Sequence, residues 1–190
     1  MDNVKNIMVV GGGGQGTLLT SRIIGKTALK NDFEVKLSEV HGMAQRGGSV
    51  VTFVRFGDKV SEPVVEEGSA DVLIAFERLE AERYAHFLKK DGVIIVNDCR
   101  IDPMTVVIGA KTYPENIIER LKENHKTFVI DAGKIALELG NSKVLNSVVL
   151  GLSAKIIGFD KDCWLQVVRE TVPPKTIEIN EKAFLAGYDA

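Results

Sequence analysis

Two hydrophobic patterns alternate along this chain. Short, predominantly apolar runs, typical of strands buried on both faces of a sheet, cover residues 7–10, 71–76, 92–96 and 127–130. Apolar residues three or four positions apart, typical of helices with one buried face, follow most of these runs. The strongest such stripe consists of Leu145, Val148, Val149, Leu152 and Ile156. The alternation predicts an α/β fold, with a three-layer, Rossmann-like sheet of mostly parallel strands.

The middle of the chain departs from this alternation. Residues 33–40 and 49–56 have strand-like patterns with no helical stripe between them. The Gly57-Asp58 pair is a two-residue turn signal, which predicts a hairpin into residues 59–61. We therefore expect an antiparallel hairpin excursion from the parallel sheet. The pattern also predicts a short edge strand at 103–108.

The stripes near Ala81 and near Trp164 predict two further helices. The first is expected to continue through Leu88 and to end at Lys89, Lys90 and Gly92. Pro173 and Pro174 end the second, so we predict a single α/β domain over 1–172 and a C-terminal helical arm over 173–190. The arm carries three large apolar residues, Phe184, Leu185 and Tyr188. Such an arm docks on its own body or on a partner.

A glycine-rich turn joins the first strand to the first helix. Gly11, Gly13 and Gly16 satisfy the pattern G-x-G-x-x-G in the strand–turn–helix setting where it indicates dinucleotide binding. Glycine permits a sharp turn and a close approach of the backbone to a ligand, and helix N-terminal amides attract anions. The candidate binding residues of this turn are Gly11, Gly13, Gly14, Gln15, Gly16 and Thr17. The sequence equally allows the glycines to serve only the packing of strand against helix.

A second loop, with the sequence HGMAQRGG over residues 41–48, follows the second strand. Its candidate residues are His41, Gln45, Arg46, Gly47 and Gly48. A guanidinium beside exposed amides is suited to phosphate or carboxylate recognition, and the two loops meet if their strands are neighbours. Glu39 stands where a nucleotide-binding fold holds the ribose hydroxyls. Two simpler uses stay open: His41 bonding a loop carbonyl, and Arg46 pairing with Glu39 or standing at the rim.

Composition narrows the classes of function. The 190 residues are 45% hydrophobic, enough for one domain with a full core, and the net charge of −2 with a pI near 6.0 gives no reason to expect nucleic acid. No apolar run has the length of a membrane span and the N-terminus does not read as a signal peptide, so a cytoplasmic location is expected. Cys99 and Cys163 are far apart and belong to no C-x-x-C pair. An intrinsic iron–sulfur cluster or zinc site is therefore not expected.

Three segments together resemble a known family. GGGGQG after the first strand, SEVHGMAQRGGSVVTFVRFG in the middle and VPPK near the end are similar to the small, gamma-type subunits of 2-oxoacid:ferredoxin oxidoreductases. The middle loop, H-G-M-A-Q-R-G-G, resembles most the indolepyruvate branch of that family. The resemblance covers essentially the whole chain.

The resemblance implies an assembly with a large subunit that carries thiamine diphosphate and iron–sulfur clusters. That assembly decarboxylates a 2-oxoacid oxidatively, passes the electrons to ferredoxin and transfers the acyl group to coenzyme A. It implies that this chain binds no cofactor alone and is inactive alone. The large apolar residues of the arm and the face of the glycine turn are expected to be buried by the partner, or by a homodimer when the chain is isolated. By analogy with single-chain relatives, the two loops would form part of the substrate or coenzyme A side of the active-site region.

A different class of function competes with this interpretation. The glycine pattern and Glu39 are also what a stand-alone NAD-dependent oxidoreductase would show. An FMN-binding module is a further alternative, although it needs an aromatic lid and only 6% of the residues are aromatic. No acid, base or lysine constellation for hydride chemistry follows the glycine pattern, which favours the subunit interpretation.

Overall fold

The computed structural model describes residues 4–42 and 48–190 and consists of a six-stranded sheet between helices. The strands are β1 (Lys5–Gly12), β2 (Glu34–His41), β3 (Ser49–Gly57), β4 (Ala70–Ala75), β5 (Leu88–Asn97) and β6 (Lys126–Ile130). The helices are α1 (Thr17–Lys30), α2 (Arg78–Tyr84), α3 (Met104–Val107), α4 (Ile117–Asn124), α5 (Ala132–Glu138), α6 (Leu145–Ile157), α7 (Lys161–Thr171) and α8 (Ile177–Tyr188).

The strand order across the sheet is β2-β3-β1-β4-β5-β6. The pairs β1–β4, β4–β5 and β5–β6 are parallel, whereas β3 is antiparallel to both of its neighbours. Five strands therefore run in one direction and β3 runs against them. The predicted mostly parallel α/β sheet with an antiparallel hairpin excursion is confirmed.

The hairpin itself differs from the predicted one. β2 pairs with β3 in register from Glu34 opposite Gly57 to His41 opposite Val50, so the connection of the hairpin is the second candidate loop. Residues 59–61, which were expected to form the returning strand, are irregular. The reason is that β2 and β1 already occupy the two edges of β3. No free edge is left for a strand after Gly57.

Two further boundaries were predicted wrongly. The segment 103–108 contains the short helix α3 rather than an edge strand, since Pro103 supplies the fixed φ (−64°) from which a helical turn starts. Residues 88–92 belong to β5 and not to the preceding helix, which ends at Tyr84 and continues as a single 3₁₀ turn. Leu88 fits the spacing of the helical stripe that starts near Ala81, but it is buried as the first residue of β5.

The sheet is covered on both faces, as the uninterrupted apolar strands require. Successive residues of β1 point to opposite faces: Ile7 and Val9 contact the core formed with α1, α6, α7 and α8, and Met8 and Val10 contact the core formed with α2 and α4. Each of these four side chains is fully buried. The arrangement gives three layers, with the carboxyl ends of β1 and β4 open at one edge.

The C-terminal helix α8 packs on the body of the protein. It crosses α6 so closely that Gly187 lies against the backbone of Val148 and Gly151 lies against the backbone of Phe184. Phe184 is fully buried in the same core as Trp164. Of the two surfaces on which the arm was expected to dock, its own body is therefore the one that buries Phe184, while Leu185 and Tyr188 keep part of their surface exposed.

Candidate functional site

The glycine turn sits at the carboxyl end of β1, beside the start of β3. The backbone N–H of Gly13 donates a hydrogen bond of 2.8 Å to the carbonyl oxygen of Gly48. Because β3 runs against β1 and β2, its first residues lie at the same edge as the ends of those strands. The ends of the two candidate loops therefore meet, but through β3 and not because β1 and β2 are neighbours.

Gln15 holds the turn together. Its side-chain oxygen accepts a hydrogen bond of 2.6 Å from the N–H of Gly12, and its amide nitrogen donates to the carbonyl of Phe76 at 3.2 Å. Gly11 lies under this side chain, where an added Cβ would come within 2.9 Å of both the Gln15 oxygen and the Phe76 side chain. Gln15 and Gly11 thus have a packing role that links β1 to the end of β4.

Gly14 and Gly16 share an unusual backbone conformation but have different surroundings. Both have positive φ, at +98° and +90° respectively, which favours glycine. Gly16 is the N-cap of α1, and a Cβ placed on it would lie 2.9 Å from the side chain of Asn146 on α6, whereas nothing lies within 4 Å of a Cβ placed on Gly14. Thr17, the first residue of α1, is buried. The surroundings of Gly14 therefore leave room for a ligand.

The glycine turn and the end of β2 line one cleft of about 420 Å³. Glu39 and His41 form its other wall, and the Nδ1 atom of His41 lies 3.2 Å from a carboxylate oxygen of Glu39. The structure thus brings together Gly13, Gly14 and His41 as the two-loop hypothesis requires. The predicted residues Gln45, Arg46 and Gly47 lie outside the described residues.

A second crevice, of about 490 Å³, opens on the other side of the glycine turn. It lies between β1 and β4, where the chain first turns to opposite sides of the sheet, and ligands of open α/β sheets bind at such switch points. Gly12, Gly13 and Gly48 border it on one side. The other side is built from the segments that follow β4 and β5.

The floor of this second crevice holds two buried carboxylates that sequence reasoning missed. Glu77 accepts hydrogen bonds from the N–H of Glu80 at 3.0 Å, from the N–H of Ile101 at 3.2 Å and from the hydroxyl of Tyr113. Glu80 accepts a hydrogen bond of 2.5 Å from the hydroxyl of Ser49 and pairs with Arg83 at 3.1 Å. The signal that could have revealed them is position, since Glu77 directly follows a strand at the binding edge.

Burial is the main cause of the raised pKa values of Glu80 and Tyr113 on the floor of this crevice. Desolvation raises the pKa of Glu80, while the Ser49 hydrogen bond and the charge of Arg83 oppose the rise and the charge of Glu77 adds to it. Burial also raises the pKa of Tyr113, reinforced by its hydrogen bond to Glu77. These groups join the start of β3 to α2 and to the loop after β5. They hold the rim of the crevice in a fixed geometry.

Residues 4–42 and 48–190 contain neither a cluster of metal ligands nor a membrane-spanning helix. Within these ranges no three histidine, cysteine, aspartate or glutamate side chains come together as a candidate metal site. Cys99 and Cys163 are free thiols. No helix in the same part of the chain has the length and apolar character needed to cross a membrane.

The comparisons with known proteins define the class. Residues 6–190 match the model of the pyruvate ferredoxin/flavodoxin oxidoreductase family, and the chain belongs to that family. It is 43% identical to the indolepyruvate oxidoreductase subunit IorB of Pyrococcus horikoshii, over 97% of this chain and 95% of the relative. The IorB subunit of Archaeoglobus fulgidus is 42% identical, over 97% and 94% of the two chains.

A solved structure agrees with these sequence relatives. The gamma subunit of a keto/oxoacid ferredoxin oxidoreductase from Geobacter sulfurreducens superposes with a TM-score of 0.73 at 25% identity. The match covers 97% of this chain and 96% of that subunit. The resemblance to gamma-type subunits inferred from the glycine turn and the loop 41–48 is confirmed.

Proposed function

We propose that this chain is the small subunit of a ferredoxin-dependent 2-oxoacid oxidoreductase, and that the 2-oxoacid is an arylpyruvate such as indolepyruvate. The observation that carries the proposal is the full-length similarity to chains named indolepyruvate oxidoreductase subunits, at 43% identity. In this proposal the partner is a large subunit that carries thiamine diphosphate and iron–sulfur clusters. The small subunit contributes binding surface and no redox centre.

The two loops supply the substrate or coenzyme A side of the active-site region. Three features of the described residues support this role: the Gly13–Gly48 hydrogen bond joins the two loops, Gly14 is exposed with open space around it, and His41 shares their cleft. Arg46, which stands between His41 and Gly48 in the sequence, brings a guanidinium that matches a phosphate or carboxylate. The loops bind and orient an anionic group, and the chemistry of the cofactors belongs to the partner.

The stand-alone oxidoreductase alternative is not supported. The relatives named above are all called subunits of oxidoreductases. The described geometry also differs from a nucleotide-binding unit, because β3 separates the strand that carries Glu39 from β1. Glu39 is moreover engaged by His41.

The first experiment compares the chain alone with the chain co-expressed with its large subunit. We expect the isolated chain to be colourless and inactive, and to form a homodimer in sedimentation. The complex should reduce ferredoxin with indolepyruvate and coenzyme A. Stoichiometric iron or thiamine diphosphate on the purified chain alone would contradict the proposal, and so would turnover without the large subunit.

The second experiment tests the loop through Arg46. A charged hydrogen-bonded pair contributes about 1.5–3 kcal/mol, so Arg46→Ala should raise the KM for coenzyme A or for the 2-oxoacid roughly ten- to a hundred-fold. Arg46→Lys should recover only part of the loss, since lysine lacks the planar fork. Arg22→Ala, at an exposed position on α1, is the matched control and should change neither KM. Unchanged KM values with weakened subunit affinity would make the loop an assembly element instead.

A further inference from the structure

The crevice between β1 and β4 has an exposed apolar wall. Ile101, Met104 and Val107, which we call the platform, line it with 44%, 70% and 66% of their surfaces exposed. Three adjacent large apolar side chains at the mouth of a crevice form the kind of patch that marks an interaction site. The platform follows β5, at the same edge of the sheet as the glycine turn.

The floor of the crevice has more negative than positive charge. Glu77 and Glu80 are buried, at 3% and 8% exposure; Arg83 pairs with Glu80, and the charge of Arg100 acts on Glu77. Arg100 and the nearby Arg78 are engaged elsewhere: Arg78 pairs with Asp98 and Arg100 pairs with Asp102. Buried charges are normally paired, so two carboxylates with one arginine leave one negative charge to be compensated.

We propose that this crevice is a socket for one basic side chain, a lysine or an arginine, presented by the large partner subunit. The aliphatic stem of that side chain packs along the platform and its charge meets Glu80, whose side chain is 11% exposed. The inference rests on the proposed function, because it takes the large subunit as the partner.

The charge of the socket argues against other occupants. A phosphate or carboxylate would approach two buried carboxylates, which is unfavourable. An entirely apolar segment would cover the platform but leave the floor without its counter-charge. A basic side chain flanked by apolar residues satisfies both parts of the crevice.

The test measures the dissociation constant between the full-length chain and the purified large subunit. Glu80→Gln keeps the shape and a hydrogen-bonding partner for Ser49 but removes the charge, and should weaken binding at least about tenfold at low salt. Met104→Ser should weaken it about tenfold by removing apolar contact. Leu137→Ser is the matched control, because Leu137 is 67% exposed on α5, and it should leave binding unchanged.

A second readout separates charge from structure. Because burial raises the pKa of Glu80, its carboxyl is protonated as the pH is lowered. The affinity of the wild-type chain for the large subunit should therefore decrease as the pH is lowered. The groups that face Glu80 are Ser49, Glu77 and Arg83, and the Tyr84 hydroxyl lies 3.4 Å from that of Ser49. Glu80→Gln leaves all four in place. In Glu80→Gln this part of the pH dependence and of the salt dependence should disappear.

The outcomes are distinct. Wild-type dissociation constants for both variants, in folded protein, overturn the socket while leaving the proposed function intact. So does a rise in the KM for coenzyme A with unchanged subunit affinity, which would make the crevice a small-molecule site. If Glu80→Gln unfolds the chain, the dissociation constant of Met104→Ser decides, and a wild-type value for that variant overturns the socket. Failure of the wild-type chain to bind the large subunit overturns the proposed function, and the socket with it.

Discussion

The crossing of α6 and α8 allows a sharp test of whether the C-terminal segment is part of the body or an arm for a partner. A Cβ placed on Gly187 would lie 2.7 Å from the carbonyl carbon of Val148, with the carbonyl oxygen nearer still. Real Cβ atoms are found at 3.0 Å or more from such neighbours. Gly187→Ala therefore forces the two helices apart, because the obstacle is backbone and cannot rotate away.

The magnitude follows from what the crossing buries. α8 places Ala183 and Phe184 in the main core with no exposure, so moving it loosens both. Overpacking in a core costs about 1–3 kcal/mol, and a backbone obstacle puts Gly187→Ala near the upper end, about 3 kcal/mol. For a chain of this size each kcal/mol lowers the Tm by about 2–4 °C, which gives a decrease of roughly 6–12 °C.

Thermal unfolding by circular dichroism measures the effect, and Gly133→Ala is the control. Gly133 lies in α5, where a Cβ would meet its nearest atom at 3.6 Å, an ordinary contact. Alanine should leave the stability there unchanged or raise it by up to about 1 kcal/mol. An unaltered Tm for Gly187→Ala together with lost binding of the large subunit would refute the reasoning and restore the partner-arm hypothesis.

Two further predictions concern the site. Gly16→Ala should lower the free energy of unfolding in urea by more than Gly14→Ala does. At both positions an alanine is strained by the positive φ, at a cost of about 1–2 kcal/mol, but only the new Cβ at position 16 also meets Asn146, at 2.9 Å. Equal losses would contradict the packing role of Gly16. The pKa of Glu80 in the folded state is raised above the ordinary value of 4.5, so the folded protein holds this proton to higher pH than the unfolded chain does. The free energy of unfolding of the wild type should therefore fall as the pH rises from 4.5 through the raised pKa. Glu80→Gln should lack this loss, and parallel stability curves for the two proteins would show that Glu80 does not titrate as described.

The strands of the sheet were predictable from the sequence, but their order was not. The run Ile7–Val10 had to be buried on both faces, and the glycines after it had to form the turn to α1. Periodicity gives the faces of a strand and says nothing about its neighbours. The insertion of β3 between β1 and β2 therefore became visible only in three dimensions, although it decides how the two candidate loops meet.

The carboxylates of the second crevice were missed for a related reason. Glu77 and Glu80 look like ordinary acidic residues at the start of a helix, where they favour the helix dipole. Their burial depends on Tyr113 and Ser49, which are 36 and 31 positions away in sequence. The position of Glu77 after a strand marks it as a candidate for the binding edge, but no local pattern predicts that these carboxylates are buried. The glycine turn is local, and its main features were predicted correctly.

The double pairing of β3 has a consequence for how this family could diversify. β3 pairs in antiparallel fashion with β2 on one side and with β1 on the other, over eight residue pairs in each case. The connection between β2 and β3 therefore starts and ends on strands whose register is set by two pairings, β2 with β3 and β3 with β1. Its length and composition can therefore be exchanged without shifting the sheet. Grafting the corresponding loop of a relative between His41 and Ser49 should accordingly leave the pairing of β2, β3 and β1 unchanged.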